Sequence, residues 1–155
     1  MAMPVIGVGL LYRKGYMRQR LDGGTEQAAL DDPADPSVLA VEPVVDAEGR
    51  PVELSLQAPG ATVAVRAWKA QVGRVPLYLL DTDVEANRPE WRSITHALYA
   101  GDADHRLRQE AILGIGGVRL LQTLAIEPSA WHVNEGHGAF SALERVRVLV
   151  KERSF

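Results

Sequence analysis

The segment WHVNEGHGAFSALERVR, Trp131 to Arg147, strings three patterns together. A short apolar run, Ser129 to Val133, stops at a knot of polar groups: Asn134, Glu135, Gly136 and His137. An amphipathic stretch, Ala139 to Val150, begins at once. That order predicts a strand over Ala130–Val133, a tight turn and a helix. In open α/β sheets, ligands bind at the carboxyl ends of strands. A Gly between a Glu and a His at such a turn lets backbone and side chains approach a ligand together. Asn134 and Glu135 alone could equally hold the turn and cap the helix. That simpler role accounts less well for the adjacent Gly136-His137.

His132, Glu135 and His137 also raise the question of a metal-dependent hydrolase. Their spacing is neither H-E-x-x-H nor H-x-x-E-H. His132 is expected inside the strand, pointing away from its end, so no metal site is expected here.

Working back from this segment, Pro89 opens a helix at a favoured first-turn position and carries it to about Ala100. Gly101-Asp102 breaks it, and Asp102 can cap the next one. In that next helix Leu107, Ala111, Gly114, Val118, Leu121 and Ala125 recur at helical spacing and predict its buried stripe. Gly114-Ile115-Gly116-Gly117 lies inside this pattern rather than after a strand, so it is no dinucleotide fingerprint. Glycines there cost about 1 kcal/mol each against Ala, which points to close packing of helix on sheet. Arg106, Gln109 and Glu110 read as a solvated, locally paired face.

The first half reads differently. Val5–Tyr12 is a buried strand by composition, with Gly7 and Gly9 allowing close backbone approach. Arg13–Asp22 is a basic arm or edge strand. Arg13, Lys14, Arg18 and Arg20 with Tyr12 and Tyr16 could suit single-stranded nucleic acid. Asp22, Glu26, Asp31 and Asp32 cancel that field, which favours a solvated or subunit-contacting arm. Residues 23–36, rich in Gly, Asp and Pro, predict a surface loop. Val38–Val45 and Val52–Leu56 predict short strands around the turn Asp46–Gly49. Ala61–Val72 alternates, with Val63, Val65 and Ala67 on one face and Thr62, Ala64 and Arg66 on the other, as a half-buried antiparallel strand does. Val75–Asp81 is more continuously apolar and is expected to be central.

The 155 residues amount to one domain, mainly β over 1–88 and helix-rich α/β over 89–155. A net charge of −3 gives no basic field for nucleic acid and no polybasic membrane patch. The chain has no cysteine, which excludes disulfides and thiolate catalysis and suits a cytoplasmic home. No apolar run reaches the ~18 residues of a membrane span. The apolar opening MAMPVIGVGLLY lacks a basic leader and reads as a core strand rather than a signal peptide. With a strand at one end and a helix at the other, the chain reads as a part of something longer.

Four blocks together resemble the bacterial α-glucan (glycogen and maltodextrin) phosphorylases. They are GVGLLY-x-x-GY-x-RQ-x-LD (Gly7–Asp22), VGRVPLYLLDTDVE-x-N (Val72–Asn87), LY-x-GD-x-x-HR-x-RQE-x-x-LGIGGVR (Leu98–Arg119) and NEGH-x-AF-x-ALER-x-R (Asn134–Arg147). The resemblance implies part of the N-terminal domain of a GT-B, Rossmann-like glycosyltransferase. It implies transfer of a terminal glucosyl unit from an α-1,4-glucan to inorganic phosphate, giving glucose 1-phosphate. It makes His137 the catalytic-site residue, with Asn134, Glu135, Gly136 and Asp102 bordering the sugar. The family's pyridoxal 5'-phosphate is held by a lysine of a C-terminal domain, and no cofactor-binding residue is expected in this chain. The family's glycine-rich phosphate loop, upstream of GVGLLY, also has no counterpart. Met17 stands where an aromatic residue is usual, and Trp131-His132 replaces a Phe-His or Phe-Met pair. The isolated chain is therefore expected to be inactive, with the missing domain as its partner and a homodimer as a further option. The alternative is a non-catalytic sugar-binding module, or one completed by a partner chain.

Overall fold

The computed structural model describes residues 3–14, 18–21, 26–30, 34–98 and 101–152. Ahead of the long strand β6 lie β1 (Gly7–Leu10), β2 (Arg18–Leu21), β3 (Gln27–Leu30), β4 (Glu42–Pro43) and β5 (Glu53–Ala58). Strand β6 is Ala61–Val72, and its alternation holds: Val63, Val65 and Ala67 are buried while Thr62 is exposed. One edge of β6 carries β5 and β4, end to end, and the other carries β7 (Val75–Asp81). All three pairings are antiparallel, and β5, β6 and β7 follow one another through two-residue turns. The β6–β7 turn is Gly73-Arg74, with Gly73 at φ +59°, a conformation such hairpins require and glycine adopts without strain. Strand β1 lies on the far side of β7 and runs parallel to it, with Leu10 opposite Leu80. The central position expected for Val75–Asp81 is therefore correct. Among the described residues β1 pairs only with β7, so its other edge is open.

A helical layer covers this sheet. It comprises α1 (Pro89–Arg92), α2 (Ala103–Ala111), a π turn (Ile112–Gly116), α3 (Gly117–Thr123) and α4 (Phe140–Glu152). The glycine-rich run does what close packing asks of it. A Cβ on Gly116 would lie 3.0 Å from Leu80 Cδ1, and one on Gly117 3.1 Å from Val8 Cγ1, so both sit directly on the sheet. Gly114 meets α4 instead: a Cβ there would be 2.6 Å from Phe140 Cβ and from the Ser141 backbone nitrogen. Leu54, Leu56, Val63, Val65, Leu80, Ile112 and Leu120 form the core between the layers.

Two ionic clusters fasten the layers. At the carboxyl ends of the parallel pair, Asp81, only 2% exposed, accepts from Arg13 Nη2 (3.0 Å), Trp68 Nε1 (3.2 Å) and Thr95 Oγ1 (3.3 Å). Asp83 accepts from Arg92 Nε at 2.6 Å and pairs with Arg13 Nη1 at 2.8 Å. Arg13 of the predicted arm is thus spent inside the fold. The second cluster centres on Glu144 of α4. It accepts from Arg119 Nε (2.7 Å) and from Arg147 Nε and Nη2 (2.7 and 2.6 Å), while Arg119 Nη1 also donates to the Ser55 carbonyl of β5.

The Arg147 hydrogen bond, against the opposing effect of burial and with help from Arg119, holds the Glu144 carboxyl below the usual glutamate range. A lowered folded value means stability present above the unfolded pKa and lost as pH falls through the folded one. Thermal melting should therefore weaken progressively below about pH 4.3, the ordinary glutamate value. Glu144→Gln should cost about 1–2 kcal/mol at neutral pH and flatten that acid dependence. Asp83, also held low, leaves a residual slope; burial opposes its lowering, which the Arg92 hydrogen bond and the Arg13 and Arg92 charges bring about. An unchanged acid profile in the variant would detach Glu144 from it.

The structure departs from the sequence pattern in several elements. No strand forms over Ala130–Val133. A strand needs a partner for its backbone groups, and the open edge of β1 is not joined by this segment. The helix from Pro89 ends at Arg92 and gives way to turns, and its expected end at Ala100 lies outside the described residues. The expected loop 23–36 contains β3, which pairs with β2 as a separate antiparallel ribbon. Val38–Val45 contributes only the two residues of β4, preceded by a 3₁₀ turn at Pro36–Val38. Tyr16, Met17, Asp22, Asp31 and Asp32 lie outside the described residues. The expected stripe fails at both ends: Leu107 is 52% exposed, and Ala125 is exposed beyond the end of α3, with φ +52°. The π turn shifts the helix's register between Leu107 and the sheet-facing glycines. Among the described residues no helix is long and apolar enough to cross a membrane.

Candidate functional site

Asp102 is the N-cap of α2: its Oδ1 accepts from the His105 backbone N–H at 2.9 Å. From there Asp102, Arg106 and Glu110 follow at four-residue steps, one stripe of a helix. Together with Gly101, Ala103 and Leu107 they line an open depression of about 430 Å³. The helix is held in place by Gln109, buried, whose Nε2 donates to the Ile94 carbonyl (2.7 Å) and the Ala97 carbonyl (3.0 Å). Gln109 was expected to be solvated. It instead satisfies two carbonyls of the turn that replaces the second half of the predicted helix.

The loop from Asn134 comes to the same stripe. His137 is 40% exposed, and its Nδ1 lies 3.4 Å from Glu110 Oε1. On the other side, Nε2 lies 3.9 Å from Glu135 Oε2. Asn134, Glu135 and Gly136 are exposed. The left-handed backbone of this turn belongs to Glu135, at φ +53°, and not to Gly136. A Cβ on Gly136 would meet nothing within 4 Å, so no close backbone approach depends on it in this structure. Gly138 is the tight position: a Cβ there would lie 2.8 Å from Val133 Cγ1. The chain leading into the loop is held against α4, where the Arg145 guanidinium lies 4.8 Å from the Trp131 ring centroid. His132 is exposed on this unpaired stretch rather than within a strand.

Of the expected groups, Asp102 lines the depression, and His137 comes to the same helical stripe at Glu110. Glu110 lines the depression and touches the imidazole, and it was not among the residues expected to form a site. Its signal in the sequence was the four-residue spacing from Asp102 through Arg106. Among the described residues no group of three or more His, Asp or Glu side chains is placed to hold a metal ion. What the arrangement offers is an open rim of carboxylates, a guanidinium and an imidazole. Such groups accept from and donate to hydroxyls in fixed directions.

No protein-family model and no solved structure matches the chain. Curated relatives do. The maltodextrin phosphorylase of Thermococcus litoralis is 40% identical over 152 residues, covering 98% of this chain and 18% of the relative. The glycogen phosphorylase of Mycobacterium tuberculosis is 43% identical, again over 98% of this chain and 18% of the relative. That of Aquifex aeolicus is 38% identical, over 98% of this chain and 22% of the relative. The chain spans about a fifth of the length of the curated relatives it matches. In sequence, then, nearly all of this chain is the counterpart of one segment of the glycogen and maltodextrin phosphorylases, the family its four motif blocks resemble.

Proposed function

We propose that this chain supplies one wall of the sugar pocket of an α-1,4-glucan phosphorylase, a glycosyltransferase that passes a terminal glucosyl unit to inorganic phosphate and yields glucose 1-phosphate. The observation that carries the reading is the identity of 38–43% to phosphorylases over nearly the whole chain. On this reading the chain is part of an N-terminal GT-B domain. His137 then stands at the reacting sugar, with Asn134, Glu135, Gly136 and Asp102 around it. The mixed sheet with a parallel pair and helices packed on it supports that fold.

Pyridoxal phosphate would have to be held elsewhere. A cofactor aldehyde needs a desolvated lysine to form its imine. Lys69 is partly exposed and pairs with Glu42 at 3.3 Å, Lys151 is exposed on α4, and Lys14 lies in the bridge to Ala97. None lines the depression. A partner-completed module receives support from α4, which leaves Leu143, Val146, Leu149 and Val150 exposed. Both readings require the remaining machinery, including the phosphate site, to come from another polypeptide segment.

The test is an exchange. The matching segment of the Mycobacterium tuberculosis glycogen phosphorylase is replaced by this chain, and glucose 1-phosphate release from maltodextrin is measured. Activity is expected to be retained, and a folded but inactive chimera would sink the reading. Within the active chimera, Asp102→Asn decides what Asp102 does. Asn caps a helix as well as Asp, so melting should be unchanged. Turnover should fall if the carboxylate also borders the sugar. Unchanged turnover with unchanged melting would leave Asp102 as a cap only.

A further inference from the structure

In an uninterrupted α-helix, residues seven apart fall within about 20° of the same face. Glu110 and Gly117 are seven apart, and Gly117 faces the sheet at Val8. A regular helix would therefore aim Glu110 at the sheet too. The π turn Ile112–Gly116 intervenes. It acts as about one extra residue in the turn count, and at ~100° per residue it swings Glu110 off that line. The carboxylate emerges at the 134–137 loop instead, lining the depression with Oε1 3.4 Å from His137 Nδ1. Gly114, inside the same turn, lets the start of α4 approach, so one distortion sets both the carboxylate and the far anchor of the His137 loop.

We propose that Glu110 is a positioning residue for His137: aimed by the π turn, its carboxylate favours the ring proton on Nδ1 and fixes the ring's orientation at the rim of the depression. A neutral imidazole carries its proton on whichever nitrogen its surroundings favour. The competing carboxylate, Glu135, is farther, at 3.9 Å from Nε2, and 80% exposed, so water screens it more. The purpose of this placement rests on the sugar-pocket reading, but the placement itself is testable without sugar.

The experiment uses the 155-residue chain and ¹⁵N NMR of the histidine rings, at a pH where they are neutral. His132, exposed five residues away, is the internal reference. The Nδ1–H to Nε2–H ratio of His137 should exceed that of His132 by about fivefold, a modest value for a contact to a charged group that water partly screens. Glu110→Ala should make the two rings alike, and Glu110→Gln, which keeps the shape and removes the charge, should do most of the same. Equal ratios in the unsubstituted chain would overturn the proposal, as would a bias that survives either substitution. The unsubstituted spectrum decides even where a variant fails to fold. Turnover in the chimera, where the rest of the pocket is present, separates the two readings. A Glu110-dependent ratio in the chain together with a folded but inactive chimera would reject the sugar site and leave the positioning role standing.

Discussion

His137→Ala, made in the active chimera, is expected to lower turnover about 100-fold or more, the scale on which a misplaced orienting group costs rate. His132→Ala should change it little. The two histidines share a loop approach, yet differ in surroundings. His137 stands between Glu110 and Glu135 beside the depression, while His132 is exposed on unpaired chain. Measuring kcat for both variants, with melting curves to show that each folds, makes the comparison. Small and equal losses would reduce the loop to a structural connection.

Gly114→Ala should be the most damaging of the glycine substitutions in the helix. Its new methyl group would sit 2.6 Å from Phe140 Cβ and the Ser141 nitrogen, and 2.8 Å from the Phe140 carbonyl carbon. Backbone atoms cannot rotate aside, so α4 itself must move. Overpacking of this kind costs up to about 3 kcal/mol, and the better helix propensity of Ala returns about 1. The remaining ~2 kcal/mol corresponds to a fall of about 4–8 °C in melting temperature for a chain of this size. Gly116→Ala should be milder, because its nearest neighbours are the methyl ends of Leu80 and Leu56, which can yield. Equal effects from the two substitutions would mean that α4 is not held at Gly114.

The parts of the fold that were legible are those whose pattern has a local cause. The alternation of Val63, Val65 and Ala67 gave β6 its bounds, because one face of that strand packs in the core. The glycines of 114–117 announced close approach, since nothing else offsets their cost in a helix. The Asp102 cap was readable from residue type and position. What escaped depended on distant partners. Ala130–Val133 has strand composition, but composition supplies no neighbour for its backbone groups. The exposure of Leu107 and the burial of Gln109 both follow from the irregular turn at Ile112–Gly116, which a 3.6-residue period does not contain. In the site, the sequence named Asp102 and His137 separately. That Glu110 lines the depression with Asp102 and meets His137 is a consequence of helix phase, visible only once the irregular turn is known.

The order of strands in the main sheet also bears on how this chain assembles. Strands β5, β6 and β7 are consecutive and joined by turns, so their pairing closes only short loops. The pairing of Leu10 with Leu80 must wait until the whole intervening chain has been gathered in. Loop-closure entropy rises slowly with length, by about 0.6 kcal/mol for each doubling, but it has to be met before any distant contact rewards it. Short loop closure therefore favours the three-stranded meander forming before β1, which among the described residues has a strand partner along one edge only. In the folded protein the same asymmetry runs in reverse. Amide hydrogens of Val63–Ala67 should be the slowest to exchange with solvent. Those of β1 should exchange sooner, and opening there removes Val8, the surface on which Gly117 rests.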